Sequence, residues 1–189
     1  MGIQKVFYPF ISTPFGSIIH AKGENIYTRF NMFREMRRKR QQLNNDKCIE
    51  VLSNQWRGVL SLLGDDNYPY GVVMNFYYDK NDNAIYFHSA KQGHKIDAIN
   101  AHSKACFTVY DDGKKRDDHW SKDYNCVIAF GKISIVSDRQ KAEHYVRKLA
   151  QKYFPDANEI ESEMSAHFYR CECLKLCIEH ITGKTVNES

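Results

Sequence analysis

The residues best suited to chemistry lie between Tyr86 and Lys95, where an apolar run ends in His88 and Ser89 and a short turn leads to Gly93, His94 and Lys95 at the start of a helical pattern. A helix N-terminus presents unpaired N–H groups and the positive end of its dipole, and a hydroxyl, an imidazole and an ammonium add donors beside it. That combination suits an anion, above all a phosphate. The same residue types also serve as ordinary turn and cap chemistry. The segment does not match a nucleotide P-loop, since it lacks the upstream glycine and the Gly-Lys-Ser/Thr ending, and no Gly-x-Gly-x-x-Gly follows any strand. A mononucleotide phosphate fits better than a dinucleotide.

A second cluster, Cys171, Cys173 and Cys177 with His167 and His180 around it, has the residue types of a zinc site. Along one extended strand, at ~3.3 Å per residue, these thiols spread over ~20 Å, too far for one tetrahedral ion. No metal is expected. Six cysteines without a convincing secretory signal point to reduced thiols in a cytoplasm. The basic run from Arg34 to Arg40 reads as a solvated face, and a net charge of +4 favours an anionic small ligand without calling for nucleic acid. No apolar run approaches the ~18 residues of a membrane helix.

These groups need a scaffold, and 189 residues at 42% hydrophobic content are enough for one sizeable core. Residues 1–32, interrupted by Pro9, Pro14 and Gly16, read as a poorly defined extension, with the folded domain at 33–189. Asn44, Asn45 and Asp46 offer caps for a helix running to Asn54, with Ile49 and Leu52 inward. Alternating apolar patterns predict strands at 58–63, 70–78, 84–88, 105–110 and 125–136, the last with a bend or bulge at Gly131. A helix is expected from His94 to Ala101. Another, capped by Ser137 or Asp138 and ending before Pro155, carries the stripe Ala142, Tyr145, Val146, Leu149 and Ala150. A short helix at 158–164 and a strand at 168–181 complete an α+β, mainly β chain built on a small barrel.

Taken in order, Gly58-Val-Leu60, Tyr68 to Phe76, Ile85 to Ala90, Gly93 to Ala98 and Cys106 to Val109 resemble the FMN-binding split β-barrel superfamily, and within it the nitroimidazole-resistance branch related to pyridoxamine 5′-phosphate oxidases. The resemblance implies a six-stranded antiparallel split barrel of Greek-key type with flanking helices. It also implies FMN at a homodimer interface. The oxidases carry a Tyr-Thr pair and a Ser-Arg-Lys triplet around the phosphate; His88-Ser89 and Gly93-His94-Lys95 stand in those places, with His94 replacing an arginine.

By the same resemblance the flavin ring runs along the second barrel strand, over Val72, Val73, Met74, Asn75 and Phe76, with Asn125 beside it. Ile181 to Lys184 resembles the C-terminal motif of the nitroimidazole-resistance branch, which approaches the partner's flavin. His88 is the implied redox participant. The activity implied is that of an oxidoreductase that takes electrons from a reduced nicotinamide or a protein donor and passes them to a small-molecule acceptor such as a nitro compound. Haem binding or degradation, or flavin binding without turnover, are the alternatives.

Overall fold

A computed structural model describes residues 33–187, apart from 116, 118 and 119. The described residues from 36 onward belong to one compact unit. The expected extension at 1–32 lies outside the described residues. Helix α1 (Asn45–Asn54) begins where the Asn44 side chain accepts a hydrogen bond from Lys47 N at 2.8 Å, and it buries Cys48, Val51 and Leu52. Then come β1 (Arg57–Leu63), β2 (Pro69–Asn75), β3 (Tyr77–Asp79), β4 (Ala84–Ala90), α2 (His94–Ala101) and β5 (Lys104–Tyr110). The chain continues through β6 (Lys114–Lys115), β7 (Lys122–Ile135), α3 (Arg139–Tyr153), α4 (Ala157–His167) and β8 (Cys171–Asn187).

All pairings in the sheet are antiparallel, in the order β2-β1-β5-β7-β8-β4-β3, with β6 on β7. The two ends of that order, β2 and β3, are separated by Phe76 alone, so the sheet curls round on itself. Strand β5 lies beside β1 after three consecutive strands, which is the Greek-key arrangement. The fold is therefore α+β and mainly β. Eight strands replace the expected six, because the second barrel strand breaks at Phe76 into β2 and β3 and because β6 is a two-residue addition. The last strand runs from 171 to 187, beyond the expected 168–181, since a short 3-10 turn occupies Phe168–Arg170.

Two apolar clusters hold this together. Leu60, Phe76, Ile85, Phe87, Phe107, Val127 and Leu174 fill the barrel, with Val51 and Leu52 of α1 packed among them. On the outer side of β4, Ala84 and Tyr86 pack with Ala142 and Tyr145 of α3 and with Cys173. Strand β4 thus buries both faces, which is why its pattern is continuously apolar. Helix α3 starts at Asp138, whose carboxylate accepts from Gln140 N and Lys141 N, and α4 repeats the device with Asp156. No helix among the described residues is long and apolar enough to cross a membrane.

The bend expected at Gly131 is present as a register shift between Phe130 and Gly131 in the β7–β8 ladder. A Cβ at 131 would stand 1.9 Å from the carbonyl oxygen of Cys177, a backbone atom that has nowhere to go. Gly131→Ala is expected to cost about 3 kcal/mol, at the upper end for overpacking. Urea unfolding followed by far-UV circular dichroism measures it, and a midpoint within error of wild type contradicts the close approach.

Candidate functional site

At Phe76 the strand changes partner. Up to Asn75 it pairs with β1, as in Arg57 with Asn75 and Gly58 with Met74; from Tyr77 it pairs with β4, as in Tyr77 with Tyr86. Beyond that last pair β2 and β4 share no ladder, so β2 keeps one edge of N–H and C=O groups facing the end of β4. Phe76 itself belongs to neither ladder. Its N–H donates to Tyr153 Oη at 3.0 Å, and its carbonyl accepts from Lys152 Nζ at 3.2 Å and Tyr153 Oη at 3.3 Å.

Lys95 stands at this opening. Its position follows from Gly93, which opens α2 with φ +113° and accepts from Ile96 N and Asp97 N; the left-handed region there favours glycine. Lys95 is half-buried, and among the described residues its ammonium has one hydrogen-bond partner, the Met74 sulfur at 3.5 Å. Burial lowers its pKa. An ammonium held this way, with a thioether for company and no carboxylate, is under-satisfied and suits an anion. Ser89, near the end of β4, is buried at 7% exposure.

His88 alternates with Ser89. Its neighbours Ala84 and Tyr86 on the same strand face α3, whereas Ile85 and Phe87 face the barrel, so His88 is directed to the helix side. Desolvation first, and the nearby Lys95 charge second, lower its pKa. The shift favours the neutral imidazole, in which one ring nitrogen accepts and the other donates, although the residue as a whole is exposed. His88 also borders a cavity of about 800 Å³ between the end of β4, α3 and α4.

The other expected residues divide. Alternation places Val72 and Met74 toward the core and leaves Val73 outward at 64% exposure. Asn75 accepts from Arg57 Nε at 3.0 Å and lines the cavity. Phe76 is fully buried and lies at the break between β2 and β3. His94 is turned to the β1–β2 connection, stacked on Tyr70 at 4.1 Å between ring centroids, with Asp65 3.7 Å from Nε2.

Asn125 is not brought to this group within one protomer. It pairs with Thr185, whereas His88 pairs with Cys173, twelve residues earlier on β8, so about 40 Å of strand path separates the two. Asn125 is held by Asp111, which accepts from its backbone N at 2.8 Å and its Nδ2 at 2.7 Å, and by Thr185, whose hydroxyl donates to Oδ1. Gly183 in the C-terminal motif packs under Cys48 and Leu43 of the α1 end.

Cys173 is buried against α3, where desolvation pushes its thiol up to about 12, so it is an inert packing group. Cys177 is exposed, and among the described residues no group of three His, Cys, Asp or Glu could hold a metal. Sequence reasoning missed Lys152 and Tyr153, which seal the strand break from 76 and 77 residues away. It also missed α4 as a cavity wall. Only a Lys-Tyr pair at the end of an amphipathic helix was visible, and nothing local ties that pair to Phe76.

The sequence pattern of the pyridoxamine 5′-phosphate oxidase family matches residues 44–185. No curated protein matches the chain. Among solved structures, a candidate 5-nitroimidazole antibiotic resistance protein from Bacteroides thetaiotaomicron is 18% identical, with a TM-score of 0.66 over 77% of this chain and 87% of that one. An FAD-binding protein from Mesorhizobium loti is 21% identical, with a TM-score of 0.58 over 77% and 97%. An FAD- and haem-binding protein from Mycobacterium smegmatis is 16% identical, with a TM-score of 0.62 over 79% and 74%. The barrel with its opening at Phe76 and the family match over most of its length agree: this chain belongs to the pyridoxamine 5′-phosphate oxidase family, within the FMN-binding split-barrel superfamily.

Proposed function

We propose that the protein is an FMN-dependent oxidoreductase, acting as a homodimer, that passes electrons from a reduced nicotinamide or a protein donor to a small oxidised acceptor such as a nitro compound. The observation that carries this reading is the half-buried Lys95 ammonium, whose one described hydrogen-bond partner is a thioether, at the mouth of the open strand edge. A flavin phosphate fits Lys95, Ser89 and the first turn of α2, and the free edge of β2 suits the polar rim of a flavin ring. Relatives with the same fold that are described as nitroimidazole-resistance and FAD-binding proteins support it. A cytoplasmic setting belongs to the same reading, supported by six thiols of which none is in a disulfide.

Bound there, the flavin supplies electron transfer in one- or two-electron steps. The chain's own residues do the rest. Lys95 neutralises phosphate charge, Met74 and Val72 give an apolar wall, and α3 covers the outer side of β4. Neutral His88 offers a hydrogen bond to an acceptor in the adjoining cavity and thereby orients it.

A second copy is the natural occupant of the outer sheet face. Val73, Val59, Thr108, Ile128 and Thr182 form one row across β2, β1, β5, β7 and β8, half-buried or exposed. Such a row on a monomer leaves apolar surface in water. A second copy set on it supplies its own Asn125 end, which is the one route by which Asn125 could approach a flavin held near His88.

Lys95→Ala and Ser89→Ala are each expected to weaken FMN binding about ten- to a hundredfold, as loss of a charge-assisted contact of roughly 1.5–3 kcal/mol dictates. Binding also depends on pH. The Lys95 pKa is lowered in the free protein and raised again by a bound dianion, so affinity is full below the former and falls as pH rises through the latter. Lys95→Arg moves that fall to higher pH. Fluorescence titration with FMN reads all three variants, and wild-type affinity in both alanine variants removes this segment from the site.

Dimerisation and flavin retention are expected to rise and fall together by mass action. Val73→Glu, on the outer row, should lower both. Light scattering with absorbance detection tests this, and a monomer holding one FMN per chain contradicts the shared site.

A further inference from the structure

The turn that carries the chain from α4 into β8, Phe168–Arg170, is fixed from outside. Arg139, at the start of α3, donates to the carbonyls of Phe168 at 2.5 Å and Cys171 at 3.0 Å and lies 3.6 Å over the Phe168 ring. That guanidinium is spent on the backbone either side of Arg170. The β4–β8 ladder then says where the turn ends: Ala90 pairs with Cys171 and Ser89 with Glu172, so Arg170 stands just past the end of β4. Neighbouring strands lie ~4.8 Å apart, which brings Arg170 next to the first residues that leave β4 for α2.

The charges around this point are legible. Burial raises the Cys171 thiol, while a hydrogen bond from the Ser89 backbone N–H and the charges of Arg139 and Lys91 lower it, against Glu172. Arg170 lines the cavity under α3 and α4 together with Ser89 and Cys171, and it is the one lysine or arginine among the residues that do so. Its Nε donates to Tyr169 Oη at 2.7 Å, and its guanidinium carbon lies 5.1 Å from that ring. The two terminal nitrogens have no hydrogen-bond or ion-pair partner among the described residues. Both signs of charge line the cavity, since Glu159 and Glu163 stand on α4. Those carboxylates are exposed, Glu163 at 76% of its side chain, and water screens them.

An arginine held at Nε and open at its terminal pair presents the fork that bridges two oxygens of a phosphate. His94, which stands where the oxidases have an arginine, cannot do so: it is stacked on Tyr70 at the β1–β2 connection. We propose that Arg170 is a phosphate-binding residue, which completes the anion site of Ser89 and Lys95 from the turn before β8 and supplies the guanidinium that His94 does not. The inference rests on the flavin reading for the molecule that carries the phosphate, FMN. The site is then built from three elements that meet only in the folded chain: β4, α2 and the turn into β8.

The test uses riboflavin and FMN, which differ by one phosphate, in fluorescence titrations of wild type, Arg170→Ala and Arg170→Lys. Arg170 is exposed, so these changes leave the core intact. Arg170→Ala is expected to weaken FMN about ten- to a hundredfold and to leave riboflavin unchanged. Arg170→Lys, which keeps the charge and loses the fork, should fall between. If wild type prefers FMN and Arg170→Ala keeps that preference in full, the assignment is overturned and the flavin reading stands. Equal loss of both flavins in Arg170→Ala also overturns it, because the residue then only supports the turn. A wild type that binds neither flavin sinks the flavin reading, and phosphorus NMR with inorganic phosphate then decides the anion site. Phosphate binding that is present in wild type and lost in Arg170→Ala sustains the assignment, and any other result there overturns it.

Discussion

The whole arrangement depends on one residue's backbone. Where the strand passes from β1 to β4, Phe76 has no ladder partner, and a buried peptide without hydrogen bonds costs several kcal/mol, about 1–3 for each unpaired group. Helix α3 removes that cost by placing Tyr153 Oη against both the N–H and the carbonyl of Phe76, and Lys152 against the carbonyl. Tyr153 also donates to the carbonyl of Trp56, and Lys152 to that of Gln55, so the same two side chains tie the start of β1 to the break. The barrel can then open between β2 and β4 without leaving this turn unsatisfied.

Burying an ammonium for this purpose has an electrostatic cost, visible in the Lys152 pKa, which desolvation brings down to about 8. Two carbonyls and the face of the Phe76 ring, 4.0 Å from Nζ, offset it. Lys95 shows the other half of the same physics. It is also a desolvated ammonium, but its one hydrogen-bond partner among the described residues is a thioether, so it keeps unused donor capacity. One lysine completes the scaffold and the other does not.

His88 and Ser89, adjacent on β4, both line the cavity under α3 and α4, and the Lys95 charge acts on His88.

The local features were legible in the sequence because their causes are local. Alternating patterns marked the strands, Asn44 and Asp138 marked the starts of α1 and α3, and Gly131 marked the bulge in β7. Gly93 marked the turn into α2, where it takes a left-handed backbone and opens the helix. What the sequence could not determine depends on distant pairing. The run from Tyr70 to Tyr78 looks like one strand, and it breaks at Phe76 only because its two halves find different partners and α3, some seventy-six residues on, satisfies the gap. Likewise ladder register, the Tyr70 stack and burial decide where Asn125, His94 and Phe76 lie. The cavity exists only once α4 is docked beside β4, since a helix carries its side chains in sequence but acquires a face toward another element only through packing.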